Sequence, residues 1–490
     1  LFFVPHNRIY AIFPPTGPRL YRVSYHADFS GSAFEFPRIP APIAPMMGPY
    51  FPQVEQVARL YPRSISLRAT DSDQPFEIEQ AVFADSLVQT VFEFSFLKGD
   101  PETAFRRPFS VVLTDESAAR IFGQAEPLGK QVLLANQGPF TVSGVVKAFP
   151  ENAHLHFDLI APFRNMVDVE PVFAREAVQN MLTTNWIASH SYTYVLLKPG
   201  ADPRAVDEAF PAFLQQYGMK AFVDKQAFTL FPVKDIHLRS TSPGEPEPVA
   251  NPAYLRLFVI IGSLILLIAC INFINLSTAA YLGRVREVGV RKVLGAGRST
   301  LIGQFMGETL QLSALAFFIA LLLVKWWLPY FSAVMDKTLP FSLTLKPQMI
   351  LLFSGVFLTA GLLAGLYPSL IASRFKPIDI FNVQGAQGKK GSDWLRKALI
   401  TLQFAVGIAL ISGTFIILNQ LHFWQSRPLG FQKDQIISVP ISSANMNSVF
   451  APGDSTLRAR MNTFEEKLLQ SPGISHVTLS NALPGFGAPR

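Results

Sequence analysis

Charge and cysteine are what this sequence has least of. Only 16% of its 490 residues are charged, and Cys270 is its single cysteine. One cysteine excludes an intramolecular disulfide, so any folded region must hold by its core. Cys270 lies inside an apolar run, which makes it a small packing residue. The signatures of common chemistry are missing too. There is no GxSxG and no HExxH, which removes two frequent hydrolase classes. Two glycine-rich stretches invite comparison with a phosphate loop, and both fail. GQAEPLGK, Gly123 to Lys130, has the wrong spacing between its glycines and is followed by Gln131 instead of a Mg²⁺-binding Ser or Thr. GAGRST, Gly295 to Thr300, lacks the lysine. Both read as turns. His154, His156 and Asp158 alternate in AHLHFDL, as one face of a strand would, and imidazole with carboxylate suits zinc. With no fourth ligand, the pattern reads better as a solvent-facing strand that turns Leu155 and Phe157 inward. No catalytic, cofactor-binding or metal-binding residue is assigned.

Apolar residues are abundant: 49% of the chain is hydrophobic and the mean hydropathy is +0.27. Four runs account for much of this, at about 257–276, 310–328, 349–372 and 398–418. Each approaches the roughly twenty residues an α-helix needs to cross a bilayer. The second ends in Lys325, Trp326 and Trp327, with Tyr330 beyond, as an interfacial anchor does. None carries an ionisable residue near its centre, which argues against an ion or proton path. Asn272 and Asn275 in the first run, and the small-xxx-small pair Gly361 and Gly365 in the third, suit helix packing. The net charge of +7 clusters beside these runs, so it points to a membrane face rather than to nucleic acid. Arg284, Arg286, Arg291, Lys292 and Arg298 follow the first run. Arg374, Lys376, Lys389, Lys390, Arg396 and Lys397 lie between the third and fourth. The positive-inside rule makes both connections cytoplasmic and sends the segments before Leu257 and after Leu418 to the other side.

Those outer segments read as α+β. In VVLTDESAARIFG a strand leads to Thr114 as N-cap, Asp115 and Glu116 fill the first turn, and Gly123 ends the helix. Strands are expected at 131–134, 140–146 and 192–197, and a helix at 203–217. The fold class is thus an α+β outer domain plus a polytopic helical membrane domain. The expected division is 1–250 outer domain; 251–380 membrane domain with a cytoplasmic loop at 283–299; 381–397 cytoplasmic linker; 398–418 fourth membrane helix; and 419–490 the start of a second outer domain. In that last part a helix ends near Leu469 and a strand follows at Ser475 to Leu479. The opening residues carry no spanning run, so a first transmembrane helix is expected to be missing and the chain to be a fragment, also without its last helices.

The most informative segment is YLGRVREVGVRKVLGAGRSTLIGQFMGE, Tyr281 to Glu308. On a helix Arg284, Glu287 and Arg291 share one side, with Glu287 and Arg291 in the favourable i, i+4 order, while Val290, Val293 and Leu294 form an apolar patch elsewhere. Gly295 and Gly297 can end this helix before Ser299, a plausible N-cap for the next. By its residues alone the segment could equally be a solvated basic loop that only fixes topology.

This segment closely resembles the cytoplasmic loop of MacB/FtsX-type ABC transporter permeases. The resemblance extends through ACINFINLSTA, FSVVLTDESAARIFG, PLGK, YTYVLLKPG and LRKALITLQFAVGIALISGTFIILNQL, from about Arg19 onward. It implies a bacterial inner-membrane protein with MacB-like periplasmic domains. It also implies a permease subunit without ATPase activity or cofactor, which passes motion from a separate cytoplasmic ABC ATPase to those domains. Export or extraction of a macrolide, antimicrobial peptide or lipoprotein would follow. Further implied partners are a second permease copy and a periplasmic adaptor or outer-membrane component. The coupling residues would be Arg284, Glu287, Val290, Arg291, Lys292, Val293 and Leu294, with the arginines and Lys292 orienting the ATPase. A membrane-anchored periplasmic sensor is the alternative.

Overall fold

The computed structural model describes residues 17–29, 32–72, 74–149, 153–218, 226–335, 347–374, 390–427, 436–438 and 455–478. The chain divides into two compact units, one grouping Ile9–Asn251 with Ser438–Arg490 and the other holding Pro252–Ile437.

The first unit is built on one mixed sheet of eleven strands. In chain order its elements are β1 (Leu20–Phe29), β2 (Ser32–Phe36), α1 (Ile43–Tyr50), β3 (Val54–Ala69), β4 (Pro75–Ala84), α2 (Val88–Phe92), β5 (Phe96–Gly99), β6 (Ser110–Thr114), α3 (Asp115–Phe122), β7 (Gln131–Leu134), β8 (Gln137–Val146), β9 (Leu159–Pro162), α4 (Val172–Thr183), β10 (Tyr192–Leu197), α5 (Pro203–Tyr217), β11 (Gln226–Pro232) and α6 (Val233–Arg239). The strands run in the order β11-β1-β10-β3-β4-β9-β6-β8-β5, with β2 on β1 and β7 bridging β3 and β8. β4 with β9 and β6 with β8 are parallel pairs, and the others are antiparallel. β6 and β10 are buried along their whole length, so they read as continuous apolar runs without alternation. Phe51, Phe210 and Phe213 join α1 and α5 over the β1 and β10 side, while Val111, Leu113, Phe140 and Leu159 pack β6, β8 and β9 together.

Local signals act as their chemistry requires. Thr114 Oγ1 accepts from the Ser117 amide at 3.3 Å, and Asp202 caps α5 by accepting from the Arg204 amide at 3.0 Å behind Pro203. The segment 153–158 departs from expectation. It is irregular, and β9 begins only at Leu159. Leu155 and Phe157 are buried, but so is His154, whose Nε2 lies 2.8 Å from Tyr194 Oη.

The segment that leads out of this unit, 240–251, is pinned to the sheet. Arg22, fully buried on β1, donates from both terminal nitrogens to Glu245, which also accepts from Ser240 Oγ. Tyr192 Oη donates to the Gly244 carbonyl at 2.5 Å, and His156 Nδ1 lies 2.8 Å from Glu247. A bidentate pair suits this buried place, since each charge satisfies the other.

The second unit is helical. It contains α7 (Pro252–Gly283), α8 (Val285–Val293), α9 (Arg298–Met335), α10 (Pro347–Arg374) and α11 (Lys390–Ser426). Helices α7, α9, α10 and α11 are each long and apolar enough to cross a membrane. They extend past the apolar runs at both ends, because helix continues into the polar flanks while the runs mark only the apolar span. α12 (Ser455–Leu469) ends where expected, whereas 474–478 form no strand. The opening residues, 381–389 of the linker, and 428–435 and 439–454 of the last part lie outside the described residues.

Candidate functional site

Between α7 and α9 the chain makes a short helix on a tight mount. α7 stops at Gly283, the backbone breaks at Arg284, and α8 carries Val285–Val293. A Schellman arrangement ends it: the Gly295 amide donates to the Lys292 carbonyl at 3.0 Å and the Ala296 amide to the Arg291 carbonyl at 2.9 Å, with Gly295 at φ +97°. The left-handed conformation explains why glycine stands there. α9 then starts at Arg298, where the Leu301 amide reaches the Gly297 carbonyl at 3.3 Å. Ser299 is inside the first turn rather than at the cap expected for it, a shift of one residue or two that is common at helix ends.

Each face of α8 has a different environment. Val288 is buried against Leu301 and Phe305 of α9. Arg291 pairs with Glu287 at 2.7 Å and donates to Gln304 Oε1 at 2.6 Å. Gln304 reaches Glu308 at 3.3 Å, and Glu308 accepts from Arg284 at 2.9 Å. The two arginines expected on one side are thus joined through α9. Lys292 Nζ donates to the Ser373 carbonyl of α10 at 2.6 Å, and Arg298 Nε to Ser373 Oγ at 3.3 Å. On the remaining face Val290, Val293 and Leu294 are 55%, 70% and 81% exposed. They are three and four residues apart, hence neighbours on one side of the helix. The polar residues fix the helix, and the apolar ones are left facing outward.

The packing glycines lie between α9 and α10. A Cβ on Gly365 would stand 2.9 Å from Thr309 Cγ2 and 3.1 Å from Met306 Sδ. One on Gly361 would stand 3.2 Å from Leu310 Cδ2. Asn272 is exposed and Asn275 half-buried on α7. Gln304, Glu308 and Ser373 had no signal in the sequence near α8, since they come from other helices. Among the described residues no three His, Cys, Asp or Glu gather as a metal site. His156 faces Glu247 and Asp158 lies 3.7 Å from Arg120. Burial holds the His154 imidazole well below its ordinary pKa, so it stays neutral.

Residues 7–213 match the family model of the MacB-like periplasmic core domain, and 259–377 match that of the FtsX-like permease C-terminal region. A similar curated protein is the macrolide export ATP-binding/permease protein MacB of Bdellovibrio bacteriovorus. It is 24% identical over 277 residues, which are 56% of this chain and 39% of that protein. The chain therefore spans about two-fifths of that relative's length. Solved structures that resemble it include a domain of a putative permease from Porphyromonas gingivalis, with 22% identity, 44% of this chain and 92% of that one covered, and a TM-score of 0.37. The periplasmic region of MacB from Actinobacillus actinomycetemcomitans has 15% identity, covers 45% and 91%, and has a TM-score of 0.31. With a MacB-like periplasmic core domain followed by an FtsX-like permease region, this chain belongs to the MacB/FtsX-type ABC transporter permeases.

Proposed function

We propose that the chain works in the bacterial inner membrane as a permease subunit, and that α8 is the element on which a cytoplasmic ABC ATPase docks. The sheet domain lies in the periplasm in this reading, Gly283 to Ser299 faces the cytoplasm, and ATP-driven motion passes through the membrane helices to the periplasmic side. The observation that carries the proposal is the exposed Val290, Val293 and Leu294 patch on a helix otherwise braced by ion pairs and buried contacts. An apolar patch left in water on a rigid mount suits a partner groove. Covering on the order of 200 Å² of it would supply about 5 kcal/mol at ~25 cal/mol per Å², before the cost of association. The ATPase is a distinct partner, since neither glycine-rich stretch can hold nucleotide phosphates. The domain limits expected from the sequence and the second permease copy belong to the same reading. So does a substrate of the macrolide, peptide or lipoprotein class, with a periplasmic adaptor or outer-membrane component as a further partner.

The test is co-purification of the full-length protein in mild detergent, with ATP hydrolysis measured on the eluate. The parent protein should bring down an ATPase. Leu294→Asp, which puts a charge where the contact would bury it, should lose that partner and the hydrolysis while inserting normally. Equal capture by Leu294→Asp and parent would refute the docking role of α8.

A further inference from the structure

Five basic residues stand from Arg284 to Arg298, and four of them are engaged inside the helical unit. Arg284 pairs with Glu308 at 2.9 Å and Arg291 with Glu287 at 2.7 Å. Lys292 Nζ and Arg298 Nε both donate to Ser373, at 2.6 and 3.3 Å. Arg286 differs. It is exposed, and it makes no ion pair or hydrogen bond among the described residues.

Its place on α8 gives that difference a direction. A helix turns about 100° per residue, so residues four and seven apart lie within about 40° and 20° of each other around the axis. Val290 and Val293 follow Arg286 by those intervals, and Leu294 by one residue more. Arg286 therefore stands on the exposed apolar face, at the end nearer α7. Glu287, the acidic residue of α8, is held by Arg291 and does not neutralise it. A charge that served only to mark the cytoplasmic side could stand on any face of the helix. This one stands on the face left open, where a covering partner must either supply a counter-charge or strip water from an unpaired guanidinium.

We propose that Arg286 is a specificity-determining contact of this face, and that the ATPase groove receiving Val290, Val293 and Leu294 carries a carboxylate at its edge to meet it. The inference rests on the reading of α8 as the docking helix and adds the chemistry of the partner surface. A charge at the rim of an apolar contact acts on encounter and register more than on the hold of the contact once made.

The experiment uses the full-length protein in mild detergent and the ATPase that co-purifies with it, separated and bound again while rates are recorded. At about 0.1 M salt, Arg286→Met should slow association by about threefold and leave dissociation within about twofold, and Arg286→Glu should slow association on the order of tenfold. Raising salt to about 1 M shortens the Debye length from about 10 to about 3 Å, and should bring parent and variants together. Arg286→Lys should associate like the parent. That variant also places an amine on the face, which a water-soluble carbodiimide should couple to an acidic residue of the ATPase. Every variant should melt like the parent, since Arg286 braces no other helix. Parent-like association of Arg286→Glu, an effect undiminished at high salt, no new carbodiimide adduct in Arg286→Lys, or a lowered melting temperature would each overturn the proposal. Leu294→Asp separates this from the docking reading. If it still captures the ATPase, the docking reading fails; if it loses capture while Arg286→Glu associates normally, only the role of Arg286 fails, and that arginine is a topology charge.

Discussion

A methyl group added at position 365 tests how α9 and α10 are joined. The new Cβ would lie 2.9 Å from Thr309 Cγ2, 3.1 Å from Met306 Sδ and 3.1 Å from Thr309 Cβ. Carbon atoms at rest stay about 3.5–4.0 Å apart, so the helices must part by several tenths of an ångström, or Thr309 must move. Thr309 is buried and has little room to do so. Overpacking of this kind costs about 1–3 kcal/mol, while replacing a helical glycine by alanine gains up to about 1 kcal/mol. Gly365→Ala should therefore lose on the order of 0–2 kcal/mol net. Gly361 faces the tip of Leu310 at 3.2 Å, which can swing aside, so Gly361→Ala should come out near neutral. Gly355 has open space around its would-be Cβ, and Gly355→Ala should gain. The assay is thermal unfolding of the full-length protein in detergent, with the order Gly355→Ala above Gly361→Ala above Gly365→Ala. If Gly365→Ala melts at or above Gly355→Ala, the close approach at this stripe is not what packs the two helices.

Arg22→Met strands the Glu245 carboxylate in the sheet domain and should cost about 3–5 kcal/mol, whereas Arg22→Met with Glu245→Met should recover most of that loss. Protease protection of the full chain distinguishes the two, and equal damage in both variants would contradict the pairing. Burial depresses the pKa of His154, so the unfolded chain binds the proton more readily as pH falls below its ordinary value of about 6.5. The stability due to neutral His154 is complete above that pH and declines below it, by at most ~1.4 kcal/mol per pH unit. Thermal melting between pH 7.5 and 5 should show this decline, and His154→Gln should flatten it; an equal slope in the variant refutes the assignment.

What the sequence disclosed was local. The Thr114 cap, the Asp202-Pro203 start of α5 and the four apolar helices each depend on residues within a turn or a single run. Strand order was not disclosed, because β1 pairs with β10 and β11 across most of the domain and no spacing rule records such contacts. The error at 153–158 has a physical cause. Alternation suggested a strand with His154 in water, but Tyr194 offers a buried hydroxyl that satisfies the imidazole, and the segment meets the sheet at its end, where Asp158 bonds to the Gln80 carbonyl and the Thr114 amide. At α8 the sequence showed which residues share a face, and the Glu287–Arg291 pair followed from i, i+4 spacing. It did not show that Arg284 finds Glu308 or that Lys292 finds Ser373, since those partners lie 24 and 81 residues away.

The claim that α8 is a docking helix is tested most directly by a photo-crosslinking residue at position 294 of the full-length protein, activated in native membranes. The account predicts a covalent adduct with a cytoplasmic ATPase, and none when the same residue stands at 173, which is exposed on α4 of the sheet domain. No adduct at 294, or an adduct with a periplasmic protein, would contradict it.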